Sequence, residues 1–189
     1  LVYHGTIARR LGLDLAIRAV ALLKDRIPGL RLDIIGDGEQ REELAQLREE
    51  LGLGEVVHLS EGAVPTEAVP GHIAGADLAV APSRNTVATS LMLPTKLLEY
   101  IRMGIPCVTV ATPTITRYFQ APAVALAPSE DPEGLAAVIL RLYEHPEERL
   151  ASIHAARKFL DTYSFESERA TYLDVVQWLT SKRSPRRSD

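Results

Sequence analysis

A lysine and a glutamate stand three positions apart near the start of one predicted helix, Pro94-Thr95-Lys96-Leu97-Leu98-Glu99-Tyr100. The helix follows residues 82–93, and a connection of that length inside a compact α/β unit is usually functional. Unpaired backbone N–H groups and the positive end of the helix dipole favour an anion there, and Lys96 adds a full charge. Glu99 lies on the same helix face, where its carboxylate can accept hydrogen bonds from hydroxyl groups. The pattern indicates an anion site, and a surface Lys96–Glu99 ion pair is the alternative interpretation.

A second candidate segment follows the first predicted strand. His4, Gly5 and Thr6 are followed closely by Arg9 and Arg10. Glycine lets a ligand approach the backbone closely, and arginine side chains bind anions through several N–H groups. His4 ends the strand beside this segment, and a structural histidine is its alternative interpretation.

The third candidate is the turn Gly36-Asp37-Gly38-Glu39, which joins a predicted strand to a predicted helix. Its backbone N–H groups can face a phosphate, although the same sequence also suits a simple tight turn. A dinucleotide-binding fingerprint requires a third glycine where Arg41 stands. A nicotinamide-dependent enzyme is therefore disfavoured.

Several other chemistries lack their sequence signatures. The five histidines do not pair at metal-ligand spacing on one predicted face, and the sequence contains no nucleophile elbow, P-loop lysine or CxxC pair. The single cysteine, Cys107, lies in an apolar run and is predicted to be a buried small hydrophobic residue. We therefore expect neither a metal ion nor a cofactor.

The composition is that of a soluble globular protein, with 46% hydrophobic and 24% charged residues. A net charge of −4 gives no general electrostatic reason for binding nucleic acid. The sequence contains no apolar stretch long enough to span a membrane, and we expect a cytoplasmic location. The basic tail at residues 182–189 is predicted to be a disordered, solvated end, with nucleic-acid binding as the alternative.

Apolar runs of strand length alternate with stretches of helical period. Strands are predicted at residues 1–4, 30–35, 56–59, 77–81, 105–110 and 123–127, with helices at 11–26, 39–51, 66–74, 94–103 and 114–119 between them. Helices at 132–144, 146–161 and 165–181 follow. This order predicts one doubly wound, Rossmann-like α/β domain over residues 1–181, with a parallel sheet of about six strands followed by C-terminal helices. Such sheets bind ligands at the carboxyl ends of their strands, where the three candidate segments lie.

Four segments together resemble the C-terminal domain of group 1 (retaining, GT-B fold) glycosyltransferases, and the resemblance covers residues 1–179. They are Tyr3-His4-Gly5-Thr6, Gly12-Leu13-Asp14-Leu15-Ala16-Ile17, Leu32-Asp33-Ile34-Ile35-Gly36-Asp37-Gly38 and the run from Pro94 to Pro106. In that family this domain binds a nucleoside diphosphate sugar, and the acceptor docks on a separate N-terminal domain.

The resemblance implies roles for individual residues. Glu99 would hold the ribose hydroxyls, the amides near Pro94 to Leu97 would meet the diphosphate, and Gly5 would approach the donor phosphate. Gly38 would line the same cleft, and the loop at Ser60 and Glu61 would lie near the base. No catalytic residue is assigned. The residues assigned to donor binding are Gly5, Thr6, Arg9, Arg10, Gly36, Gly38, Glu61, Pro94, Thr95, Lys96 and Glu99.

Three positions depart from the family pattern, which commonly has an arginine, a lysine and a glutamate there. These positions are Thr6, Leu11 and Leu91. The two missing cations would each contribute charge-assisted contacts of about 1.5–3 kcal/mol to a diphosphate. We expect Lys96, with Arg10 or Arg9, to replace them, because the PTKLLEY form resembles a branch of the family in which that lysine is usual.

The expected function is transfer of a sugar from a nucleoside diphosphate sugar to an acceptor, with retention. A nucleotide-sugar epimerase of the same architecture and a non-catalytic GT-B-like binding domain are the alternatives. The expected partners are a nucleotide sugar and an N-terminal domain that is absent from this chain. Any peripheral membrane association is expected to come from that domain. Because a catalytic cleft needs both domains, the chain alone is expected to be inactive. The last predicted helix has an apolar surface suited to self-association. That surface comprises Phe165, Tyr172, Val175, Val176, Trp178 and Leu179.

Overall fold

The computed structural model describes residues 1–119 and 121–181, so the basic tail lies outside the described residues. Within them, six parallel strands form one sheet in the order β3-β2-β1-β4-β5-β6. The strands are β1 (Val2–His4), β2 (Leu32–Ile35), β3 (Val57–Leu59), β4 (Ala79–Ala81), β5 (Cys107–Val110) and β6 (Ala125–Ala127). This confirms the predicted doubly wound sheet, whose strand order reverses between β1 and β4.

The helices alternate with the strands and then continue alone. They are α1 (Leu13–Leu23), α2 (Arg41–Glu50), α3 (Val69–Ile73), α4 (Val87–Ser90), α5 (Thr95–Met103), α6 (Pro113–Tyr118), α7 (Pro132–Glu144), α8 (Pro146–Thr162) and α9 (Phe165–Ser181). The predicted bounds of α7 and α9 are confirmed. Both follow clear start signals, proline at the first helical position in α7 and acidic residues in the first turn of α9.

The sheet separates two hydrophobic cores because successive side chains of a strand point to opposite faces. Helices α1, α2 and α7 cover one face, where Tyr3 and Ile34 are buried. Helices α3, α5, α6 and α8 cover the other face, where Val2 is buried with Cys107, as predicted. Tyr3 and its neighbour His4 therefore leave the central strand on opposite sides, at the edge where ligands bind.

Two local predictions were wrong. The first long helix begins at Leu13 rather than residue 11, because Arg9–Leu11 forms a 3₁₀ helix that Gly12 ends in a left-handed conformation. The predicted connection at residues 82–93 contains the short helix α4, whose first turn is capped by the Thr86 side chain. Turn chemistry decided both cases, and neither is visible in the hydrophobic pattern.

The last helix, α9, keeps its apolar residues exposed, including Phe165 at 78% and Trp178 at 54%. The predicted apolar surface is therefore present, while self-association through it stays a prediction. Among the described residues, we find no helix with the length and apolar character needed to cross a bilayer.

The loops after β1 and β2 cross at Gly36. A Cβ atom at this position would stand 2.0 Å from the Gly5 carbonyl oxygen, and the φ angle of +148° is one that L side chains rarely adopt. The Gly5 amide donates to the Ile35 carbonyl at 2.9 Å, which fixes the crossing. This position therefore requires glycine.

We expect Gly36→Ala to lower the free energy of unfolding by roughly 2 kcal/mol or more, because the added methyl group meets backbone rather than a movable side chain. The matched control is Gly54→Ala, since a Cβ at Gly54 has nothing within 4 Å. Urea unfolding measures both changes. If Gly36→Ala and Gly54→Ala had the same free energy of unfolding, this would contradict the close approach of the two loops at Gly36.

Candidate functional site

A cavity with a volume of about 860 Å³ opens at the carboxyl edge of the sheet. It lies between the ends of β1 and β2 on one side and helices α3 and α5 on the other. Doubly wound sheets bind ligands at this edge, next to the reversal of strand order. It is lined by six of the residues that the sequence assigns to donor binding: Gly5, Thr6, Gly36, Thr95, Lys96 and Glu99.

Lys96 lies half-buried over the loop that follows β1. Its Nζ donates to the Tyr3 hydroxyl at 2.8 Å and stands 4.3 Å from the centre of the Tyr3 ring. A Cβ at Gly5 would lie 3.4 Å from Lys96 Cε and 3.5 Å from Nζ, so the ammonium rests directly against that glycine. Lys96 and the β1 loop together form one cationic corner of the cavity.

Glu99 is held by His4 rather than by Lys96. The His4 Nε2 lies 2.7 Å from Glu99 Oε2, and its Nδ1 lies 2.9 Å from the Tyr100 hydroxyl. The same hydroxyl accepts the His4 backbone N–H at 3.0 Å. A carboxylate can only accept, so the His4 Nε2 donates to Glu99, and in the neutral ring Nδ1 accepts the Tyr100 hydroxyl proton. The ring proton is therefore on Nε2, which donates to Glu99 and leaves Oε1 available to a ligand. Lys96 and Glu99 thus have different partners, Tyr3 and His4, and do not form the surface ion pair of the alternative interpretation.

Burial shifts the pKa values of both held groups. Burial lowers the pKa of Lys96 to about 8, the Glu99 charge opposes this, and the Arg10 charge adds to it. Burial also lowers the pKa of His4 below its ordinary value, although the hydrogen bond and charge of Glu99 act the other way. His4 is therefore neutral at pH 7, whereas Lys96 is a cation that an anionic ligand would stabilise.

The turn after β2 is fixed by Ser60. The Gly36 amide donates to Ser60 Oγ at 2.9 Å, and that hydroxyl lies 3.1 Å from the Gly36 carbonyl and 2.7 Å from the Gly62 carbonyl. Arg41 donates to the Ser60 carbonyl. Asp37 also lines the cavity. These bonds hold the turn in place beside the loop at residues 5–6.

Other assigned residues lie outside the cavity lining. Arg9 pairs with Glu43, with Nη2 at 2.9 Å and 3.0 Å from the two carboxylate oxygens, and Arg10 is exposed. Gly38, Glu61 and Pro94 also stand beyond the lining. Donor contacts from these five residues stay predictions, and only Lys96 of the expected replacement cations lies in the cavity.

The rest of the wall is mostly apolar. It includes Val64, Val69, Pro70, Ile73, Met103 and Leu160. An apolar wall of this kind suits the faces of a flat ring, whereas the Lys96 and Glu99 corner suits charged and hydroxyl groups. The sequence patterns did not identify this wall, because it is assembled from α3, α5, α8 and the connection after β3.

A half-buried ion pair joins the connection after β4 to the start of α1. Both Arg84 terminal nitrogens donate to Asp14 at 2.8 Å, and Nη1 also donates to the Arg9 carbonyl at 3.0 Å. The Arg84 and Asp14 side chains are only 21% and 18% exposed. Sequence reasoning missed this pair, since its members are 70 positions apart.

Residues 1–159 match the family described as glycosyl transferases group 1. The chain belongs to this family. A curated relative is the GDP-mannose-dependent alpha-(1-6)-phosphatidylinositol monomannoside mannosyltransferase of Mycolicibacterium smegmatis. It is 39% identical over 75 residues, which are 40% of this chain and 19% of that protein.

Solved structures share the fold. HepE of Anabaena, crystallised in complex with UDP, gives a TM-score of 0.79 at 18% identity over 93% of this chain and 48% of that chain. Sucrose-phosphate synthase of Thermosynechococcus elongatus gives 0.81 at 20% identity over 95% of this chain and 45% of that chain. The predicted resemblance to the C-terminal domain of the GT-B fold is confirmed. The chain spans less than half the length of each of these relatives.

The three departures from the family pattern lie in different surroundings. Thr6 lines the cavity and Leu11 is buried, whereas Leu91 is 79% exposed. None of them brings charge to the site, and the charged lining residues on α5 are Lys96, Glu99 and Arg102.

We expect Asp14→Asn to lower the free energy of unfolding at pH 7 by about 1–2 kcal/mol, because it breaks the charged pair with Arg84. Burial acts to raise the Asp14 pKa, but the Arg84 hydrogen bonds and charge outweigh it and leave the pKa below its ordinary value of 3.8. The stabilisation is therefore present above that value and is lost as pH falls through the lower pKa of the folded state.

Denaturant unfolding at pH 7 and pH 3 measures this effect, with Asp25→Asn at an exposed position as the control. The deficit of Asp14→Asn should shrink at the lower pH. A deficit that is unchanged between the two pH values would contradict the charge pairing.

Proposed function

We propose that the cavity binds the nucleoside diphosphate of a nucleotide sugar and that the chain supplies the donor site of a glycosyltransferase. The observation that carries this proposal is the Lys96 ammonium held against Gly5, with the Glu99 carboxylate one helical turn further along the same wall. A diphosphate needs the cation, and a ribose needs the carboxylate.

The cavity suits such a ligand in size and in chemistry. Its volume of about 860 Å³ falls within the range of small-molecule sites. The base would lie on the apolar wall, the ribose hydroxyls would donate to Glu99 Oε1, and the diphosphate would meet Lys96 and the amides at the start of α5. Pro94, the residue before that helix, makes no side-chain hydrogen bond to the first turn. Those amides therefore suit a phosphate.

The relatives support the ligand class. HepE binds UDP in its crystal structure, and the mycobacterial relative is a GDP-mannose-dependent mannosyltransferase. Both concern nucleoside diphosphates, and they differ in the base. We therefore propose a nucleoside diphosphate sugar as donor and leave the base to the measurement below.

In the proposed reaction, the bond between the sugar anomeric carbon and the β-phosphate oxygen breaks, and its electron pair stays on the diphosphate. The acceptor hydroxyl oxygen bonds to that carbon, and its proton leaves with the diphosphate. Lys96 and the helix amides stabilise the developing charge, so no metal ion or cofactor takes part in this proposal. Retention and an acceptor domain elsewhere in a longer protein belong to the proposal, while a cytoplasmic location stays a prediction.

A donor-binding domain without catalysis is the second candidate. Leu91 stands where the family commonly has a glutamate, and its side chain is 79% exposed, so this position offers a ligand no charge. Product analysis on a longer protein that contains this chain separates sugar transfer, epimerisation and binding alone.

We expect one of UDP, GDP and ADP to bind in calorimetric titration of the chain. Lys96→Ala should weaken that affinity by about 10- to 100-fold and Glu99→Gln by about tenfold, as expected for charge-assisted hydrogen bonds. The controls are Lys24→Ala and Glu55→Gln, which change exposed residues away from the cavity. Binding of none of the three nucleotides by the folded chain would overturn the proposal.

A further inference from the structure

We propose that Tyr3 is the positioning residue that fixes the Lys96 ammonium over Gly5 and so sets how tightly the diphosphate is held. This inference rests on the proposed function for its ligand. Tyr3 is fully buried in the central strand, and its hydroxyl accepts from Lys96 Nζ at 2.8 Å.

The hydroxyl has a determined orientation. It donates its one proton to the Thr6 carbonyl at 2.6 Å, so its lone pair faces Lys96. An ammonium group has donors only, and the hydroxyl therefore accepts from it. The ring adds a second contact, since Nζ stands 4.3 Å from its centre. Tyr3 thus joins the two walls of the corner, the β1 loop through Thr6 and helix α5 through Lys96.

A lysine needs such a partner more than an arginine would. Its four-carbon stem is flexible and ends in a point charge, so more rotamer entropy is lost per hydrogen bond than with the planar arginine fork. The Tyr3 side chain is fully buried, and its contacts with Lys96 hold the ammonium in place before the ligand arrives. The Glu99 carboxylate does not do this, because its Oε2 is engaged by His4.

The surroundings of Lys96 are mixed in charge. Glu99 lies on the same helix, His4 precedes the β1 loop, Asp37 lines the cavity after β2, and the Arg10 charge acts on Lys96 from the 3₁₀ helix. Burial lowers the Lys96 pKa to about 8. The Tyr3 oxygen stabilises the charged form against this burial, so removing it should lower the pKa further.

The test is a double-mutant cycle with Tyr3→Phe and Lys96→Ala, read by calorimetry with UDP, GDP and ADP. Tyr3→Phe keeps the ring and removes the oxygen, and it should weaken binding about tenfold. In the Lys96→Ala background it should change affinity by less than about twofold, because Tyr3 acts through Lys96. Tyr143→Phe is the control, since it makes the same chemical change at an exposed site on α7.

A second measurement needs no nucleotide. Titration of the Lys96 ¹³Cε resonance should show a lower pKa in Tyr3→Phe than in the unchanged chain. Circular dichroism checks folding. If Tyr3→Phe does not fold, 3-fluorotyrosine at position 3 weakens the acceptor while keeping the hydroxyl, and the same pKa shift is expected.

Equal losses from Tyr3→Phe in both backgrounds, or an unchanged Lys96 pKa, would overturn the positioning role. Failure of all three nucleotides to bind the unchanged chain would overturn the proposed function instead. In that case the Lys96 titration still decides whether Tyr3 holds the ammonium.

Discussion

The site depends on one interaction, in which a tyrosine hydroxyl holds a lysine ammonium that is largely withdrawn from water. Burial lowers the Lys96 pKa to about 8, so the folded chain bears the cost of keeping a cation there. The Tyr3 hydroxyl and the Glu99 charge offset part of this cost. An anion entering the cavity would complete this offset, and this is the physical basis for proposing a diphosphate there.

The fold makes that arrangement possible through one short strand. Tyr3 and His4 leave β1 on opposite faces of the sheet, and each holds one charged residue of α5. Tyr3 holds the cation that we propose for the diphosphate, and His4 holds the carboxylate that we propose for the ribose hydroxyl groups. The central strand thus positions Lys96 and Glu99, two charged groups of a helix that follows it by more than ninety residues.

Sequence reasoning succeeded where the signal was local. Alternating strand and helix periods predicted the six-stranded sheet, and the buried role of Cys107 followed from its apolar neighbours. It did not find the contacts of Tyr3, His4 or Arg84, because those depend on which distant residues the sheet brings together. Arg9 shows the same limit: the sequence places it near a phosphate site, whereas in the structure it pairs with Glu43.

Proton uptake on nucleotide binding tests the central claim most directly. The proton uptake is measured by calorimetry at pH 8.5, with the nucleoside diphosphate that binds titrated into the chain in two buffers of different ionisation enthalpy. With its pKa lowered to about 8, Lys96 is in part neutral there and is recharged by the diphosphate, so nucleotide binding should take up a fraction of a proton, which Lys96→Met abolishes. Binding enthalpies that do not differ between the buffers once corrected for dilution would contradict a diphosphate placed at Lys96.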